Sequence, residues 1–127
     1  MHLSKNDLPV KVEAPGAVAR QLPDFGVASG PIGAEHFTMA AGTDLAPLLV
    51  GLEDDACQSA HWGYLIRGVV VVTYTDGTDE TCAGGEVVHW PAGHTVRVEE
   101  DADLILFSPQ ADHGPVLDHL ASQLANA

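Results

Sequence analysis

The chain has 127 residues, 46% hydrophobic and 18% charged, with 5 Lys+Arg against 18 Asp+Glu and a formal charge of -13. That length fits one domain, which at this size buries roughly two-thirds of its unfolded surface and needs no disulfides for a core. The acidic balance repels phosphate backbones and anionic headgroups, so no nucleic acid and no membrane are expected as partners, and the apolar content excludes an acidic disordered chain.

The opening MHLSKNDLPV has no apolar core of signal-peptide length, and no stretch approaches a membrane span. The reading is a cytoplasmic protein whose two cysteines, Cys57 and Cys82, stay reduced. Thirteen Gly and eight Pro break the sequence into short pieces, which argues against a helical bundle. A short strand is expected over 10–13, then an irregular Pro/Gly-rich stretch over 15–31, a strand over 32–40 and a weaker one over 45–52. Strands over 62–67 and 69–75 lead into Asp76-Gly77, whose composition suits a two-residue type I′ hairpin turn. Short strands follow over 79–82, 86–90, 94–99 and 103–108, with an acidic turn between the last two. Only the tail reads as helix, with Pro115 in its first turn and Val116, Leu117, Leu120, Ala121 and Leu124 at helical spacing. Turns every eight to twelve residues indicate a sandwich or barrel. The domain is thus divided into an N-terminal arm (1–31), a barrel core (32–108) and a C-terminal helix (115–126).

The run from His61 to Gly68, the Val-rich strand after it, Asp76-Gly77, and then Gly85 through Pro91 to Gly93 resemble the cupin superfamily, the RmlC-like proteins. Gly85, Pro91 and Gly93 match the spacing of that family's second motif, and Gly68 stands seven positions after His61, as the first motif's Gly follows its Glu. The resemblance implies an all-β fold, a cupin-type antiparallel β-barrel (double-stranded β-helix, or jelly roll), here with a short C-terminal helix packed across one face of the sheet. It also implies a metal or ligand site inside. The ligand positions depart from the family's pattern: its Glu falls on His61, its two preceding histidines on Asp55 and Cys57 or on Asp54 and Ala56, and its second-motif His on Val96. Cys57, His61 and the Gly93-His94 pair resemble instead a subgroup of small bacterial single-domain cupins in which Cys and His replace the usual ligands.

Cys57, His61 and His94 are therefore the candidate metal ligands. Thiolate and imidazole suit a divalent transition metal, Zn²⁺ or Fe²⁺, and three protein ligands leave one position open. Asp55 can close the shell or hold a ligating His. His36, Tyr64, His89 and Trp90 are candidates for the pocket wall, while a buried Cys and a hydrogen-bonded core His remain the plain alternative for the ligands themselves. His2, His113 and His119 read as surface residues, Trp62 and Phe107 as core, and Arg67 and Arg97 as surface residues that, if turned inward, could hold a substrate carboxylate.

By resemblance, the function is a metal-dependent cupin that binds or transforms a small organic molecule. The alternatives are a non-catalytic cupin that binds or senses a small molecule or metal, and a metal-free structural cupin. Val70, Val72 and Tyr74 alternate with Val69 and Val71, so both faces of that strand are apolar and one needs a cover, from the N-terminal arm, the tail helix or a second subunit; a homodimer is expected.

Overall fold

The structure is a computed structural model that describes residues 1–126. Seven strands form one antiparallel sheet: β1 (Val10–Ala14), β2 (Ala17–Leu22), β3 (Ile32–Met39), β4 (His61–Tyr74), β5 (Asp79–Ala83), β6 (Val87–Trp90) and β7 (His94–Pro109). The order is β1-β2-β3-β7-β4-β5, with β6 beside the first half of β4. Hydrogen bonding does not join β1 to β5, so the barrel is an open one. A short helix α1 (Ala46–Leu49) and the C-terminal helix α2 (Gln110–Ala125) complete the fold. Val116, Leu117 and Leu120 of α2 enter the same core as Phe37, Leu65, Val70, Val72, Trp90 and Leu104.

Two long strands carry the architecture. β4 and β7 pair from Trp62↔Phe107 to Tyr74↔His94, with register shifts between Leu65 and Val70. At that bend Gly68 has φ +94°, and a Cβ there would lie 2.3 Å from the Asp101 carbonyl oxygen. Only glycine supplies both the conformation and the close approach. The strands expected over 62–67 and 69–75 are therefore one bent strand. The acidic turn expected near Glu100 is likewise strand: Glu100 pairs with Val69 across the bend.

Other expectations need correction. The stretch over 15–31 contains β2, which pairs with β1 and β3. Its inward residues are Ala19 and Gln21, without the Val and Ile that mark a strand in sequence. The strand expected over 45–52 is α1, with Pro47 in its first turn; just before it, Asp44 Oδ1 accepts from Ala46 N–H at 3.0 Å. At Asp76-Gly77 only Gly77 has positive φ, and its N–H bonds the Tyr74 carbonyl at 2.9 Å. The loop is thus a three-residue turn with Gly77 at the left-handed position. Helix α2 starts at Gln110, directly after β7, so Pro115 lies inside it, not in its first turn.

The acidic surface engages all of the scarce cations. Lys11 pairs with Asp118, Arg97 with Glu99 and Lys5 with Asp103, while Arg20 and Arg67 donate to backbone carbonyls. Among the described residues no helix is long and apolar enough to cross a membrane.

Candidate metal centre

Backbone pairing fixes the site first. Cys57 forms an isolated bridge with His94: its N–H donates to the His94 carbonyl at 2.8 Å, and Gly93 N–H donates to the Cys57 carbonyl at 2.7 Å. His61 opens β4 opposite Trp90, and His94 opens β7 after the Pro91–Gly93 turn. Three chain segments thus bring their side chains to one place. One donor atom from each of Cys57, His61 and His94 lies within 4.8 Å of the other two, and all three residues are buried.

Hydrogen bonds set the tautomers. His94 Nδ1–H donates to the Pro91 carbonyl at 2.7 Å, which leaves Nε2 with its lone pair. Ser108 Oγ gives its proton to Glu35 Oε1 at 2.8 Å, so at 2.6 Å it accepts from His61 Nδ1–H. His61 Nε2 then faces Cys57 Sγ at 3.5 Å. Trp90 packs edge-on against both rings, at centroid distances of 6.3 Å from His61 and 6.1 Å from His94.

A second cluster adjoins the first through His61. Glu35 is fully buried, and its Oε2 accepts from His113 Nδ1–H at 2.5 Å and from Gln21 Nε2 at 3.1 Å. Both carboxylate oxygens are therefore partnered, as burial of a charge requires. Glu35, His61 and His113 also place one donor atom each within 4.8 Å of the others. His113 ring faces His61 with centroids 4.4 Å apart. Burial alone would raise the Cys57 thiol, yet its contacts with the three imidazoles, the His113 hydrogen bond first among them, outweigh it and bring the group down to about 3. Burial lowers His113, but its bonds to Cys57 and Glu35 overcome that and lift it to about 9. His61 is lowered, with burial the largest cause. Cys82, away from the imidazoles, is pushed up to about 11, chiefly by burial.

Among the expected pocket residues, only Trp90 lines the cavity beside the cluster. Asp55 is turned away, its Oδ1 accepting from Gly51 N–H at 3.0 Å. His36 is buried but on the opposite face of β3 from Glu35, where it pairs with Asp103. Tyr64 and His89 are exposed on the outer face, and His89 stacks on Trp62 at 4.9 Å. Trp62 and Phe107 are exposed too, and Arg67 and Arg97 point to solvent. The sequence reading missed His113, Glu35, Ser108 and Gln21. A signal existed for His113, which lies three, four and seven positions before Val116, Leu117 and Leu120 on the buried face of α2.

No family model matches the chain, and no curated protein matches it in sequence. The likeness is structural. An oxalate decarboxylase from Lactobacillus farciminis, solved as a formate complex, superposes with a TM-score of 0.59 at 16% identity over 84% of this chain. The chain spans only 32% of that protein's length. An RmlC-like cupin from Shewanella frigidimarina gives a TM-score of 0.56 at 17% identity, covering 86% of this chain and 91% of the other. The polyketide cyclase RemF from Streptomyces resistomycificus gives 0.59 at 15% identity, covering 87% and 79%. Likeness at these identities establishes the architecture: the chain has the cupin fold.

Proposed function

We propose that this cupin-fold chain binds one divalent transition metal, Zn²⁺ or Fe²⁺, through Cys57 Sγ, His61 Nε2 and His94 Nε2, and presents it to a small organic molecule. The observation that carries the reading is the donor set itself: both imidazoles have Nδ1 engaged elsewhere, so each offers Nε2 beside one thiolate. The Cys57–His61 separation of 3.5 Å is the span that tetrahedral bonds of about 2.3 Å to sulfur and 2.0 Å to nitrogen would give. Such a metal supplies Lewis-acid character to a bound molecule. A cavity of about 40 Å³ lies beside the trio, bordered by His113. His113 stands outside the trio of mutually close donors and would hold a proton beside a molecule bound there, its Nδ1 held by Glu35. The decarboxylase and cyclase named among the structural relatives act on small organic molecules, which supports the same broad class here.

The test is elemental analysis after reconstitution under reducing conditions, with thermal melts as the folding control. Wild type should hold one metal per chain. Cys57→Ala, His61→Ala and His94→Ala should lose it, whereas His113→Gln should lower affinity by no more than the roughly 10–100-fold typical of supporting groups. No metal in wild type, or full occupancy in all three alanine variants, would overturn the reading. Loss of metal in His113→Gln equal to that in the alanine variants would favour the closed, metal-sensing alternative.

We also propose a homodimer, in a reducing cytoplasmic setting that suits two free thiols. Val70, Val71 and Val72 are all buried within one chain, so the run first expected to need a partner needs none. The uncovered apolar face lies at the other end of β4, where Trp62, Tyr64, Val87 and Phe107 are exposed side by side across β6, β4 and β7. Sedimentation should give twice the 13.3 kDa chain mass, reverting to one chain in Trp62→Glu. A wild-type monomer at high concentration would remove the dimer.

A further inference from the structure

The cavity beside Cys57 is too small for an organic molecule of ordinary size, and the space next to it decides what the site accepts. A groove of about 420 Å³ runs between β1, β2 and α2, lined by Val12, Ala17, Ala19, Leu48, Leu120 and Leu124 among others. Its volume falls within the range of about 300–1,000 Å³ usual for small-molecule sites. Phe37, Met39, Leu45 and Leu120 line both the groove and the cavity, so one layer of side chains separates them. Met39 in that layer is unbranched and adapts readily.

The groove's charge is as informative as its shape. Asp44 is its single ionisable lining residue, and one Asp44 oxygen already accepts from Ala46 N–H. No Lys or Arg lines either space, and all five basic side chains are engaged elsewhere. An organic acid lodged in the groove would leave water with no cation among the groove's own lining residues to receive it, His113 lying beyond the dividing layer, inside a molecule of net charge -13. An uncharged apolar molecule loses nothing comparable and gains from burial.

We infer that this groove is the antechamber of the metal centre and that it selects uncharged, apolar small molecules over organic acids. The inference rests on the proposed metal site for its destination, but the groove's selectivity is measurable without metal. Full-length protein, metal-free and zinc-loaded, is titrated with the neutral fluorophore N-phenyl-1-naphthylamine, which is then displaced by 1-octanol or by octanoate at slightly alkaline pH. Octanol should displace the fluorophore at a concentration about tenfold or more below that of octanoate, the carboxylate being the one left unpaired. Ala17→Phe, which fills the groove, should abolish fluorophore binding. Leu48→Arg, at a half-buried position that tolerates a long side chain, should bind octanoate better than wild type does. Octanoate matching octanol, unchanged binding in Ala17→Phe, or no binding by folded wild type would each overturn the selectivity. In the cobalt-loaded protein, octanol protons should relax faster than in the zinc-loaded one, and equal relaxation would overturn the antechamber. If the fluorophore binds but no metal loads, the groove stands and the metal reading falls; if metal loads and the fluorophore does not bind, the reverse holds.

Discussion

Glu35 holds two histidines at once, one through the Ser108 hydroxyl and one directly, and so orients the imidazole cluster from behind. Its consequence is a thiolate facing imidazoles in the metal-free chain. Cys57, brought from 9.0 to about 3, contributes stability that is complete above pH 9.0 and is lost as pH falls towards 3. His113, lifted from 6.5 to about 9, contributes fully below pH 6.5 and loses that contribution as pH rises through 9. Between 6.5 and 9 the two slopes cancel, so the pair's contribution is level above pH 6.5 and lost only on the acid side. Metal-free protein at neutral pH should therefore show the ultraviolet absorbance of one thiolate, absent in Cys57→Ser and retained in Cys82→Ser. Absorbance appearing only above pH 9 would contradict it. Cys57, His61 and His94 were legible in sequence because they sit on or next to glycine-marked motif positions. Glu35 was not, because its inward orientation follows from the strand phase that Phe37 and Met39 share with it, and His36 beside it drew attention to the wrong face.

At the scale of elements, β4 and β7 position the site and Gly68 shapes both. A methyl group at Gly68 would meet the Asp101 carbonyl at 2.3 Å and force a residue into positive φ. Gly68→Ala should destabilise the fold by about 2–4 kcal/mol, lowering the melting temperature by roughly 10 °C. A melt unchanged from wild type would show that the bend is not held by this close approach. The sequence marked this glycine through its motif spacing but read it as a break between strands, since a residue that ends one strand and a residue that bends one look alike locally. Helix α2 was hidden for a related reason. Gly114-Pro115 reads as a breaker, and Pro115 lacks the N–H that would bond the Ala111 carbonyl, yet burial of Val116, Leu117 and Leu120 keeps the helix whole on both sides. With its start placed too late, His113 fell outside the expected helix. β2 escaped notice because its inner face is small and polar, and β3 supplies its pairing.

For the molecule as a whole, the cupin fold was legible because long-range glycine spacings and a Val-rich strand report topology directly. The side-chain chemistry was only partly legible, since it depends on which residues of distant strands face each other. The proposed metal centre would connect the three segments carrying Cys57, His61 and His94, and cobalt tests it most directly. Cobalt(II) added to metal-free protein under reducing conditions should bind one ion per chain and develop a thiolate-to-metal charge-transfer band with visible bands of four-coordinate intensity. Cys57→Ser should lose the charge-transfer band. Cobalt that fails to bind, or that binds with a spectrum identical in wild type and Cys57→Ser, would contradict the account.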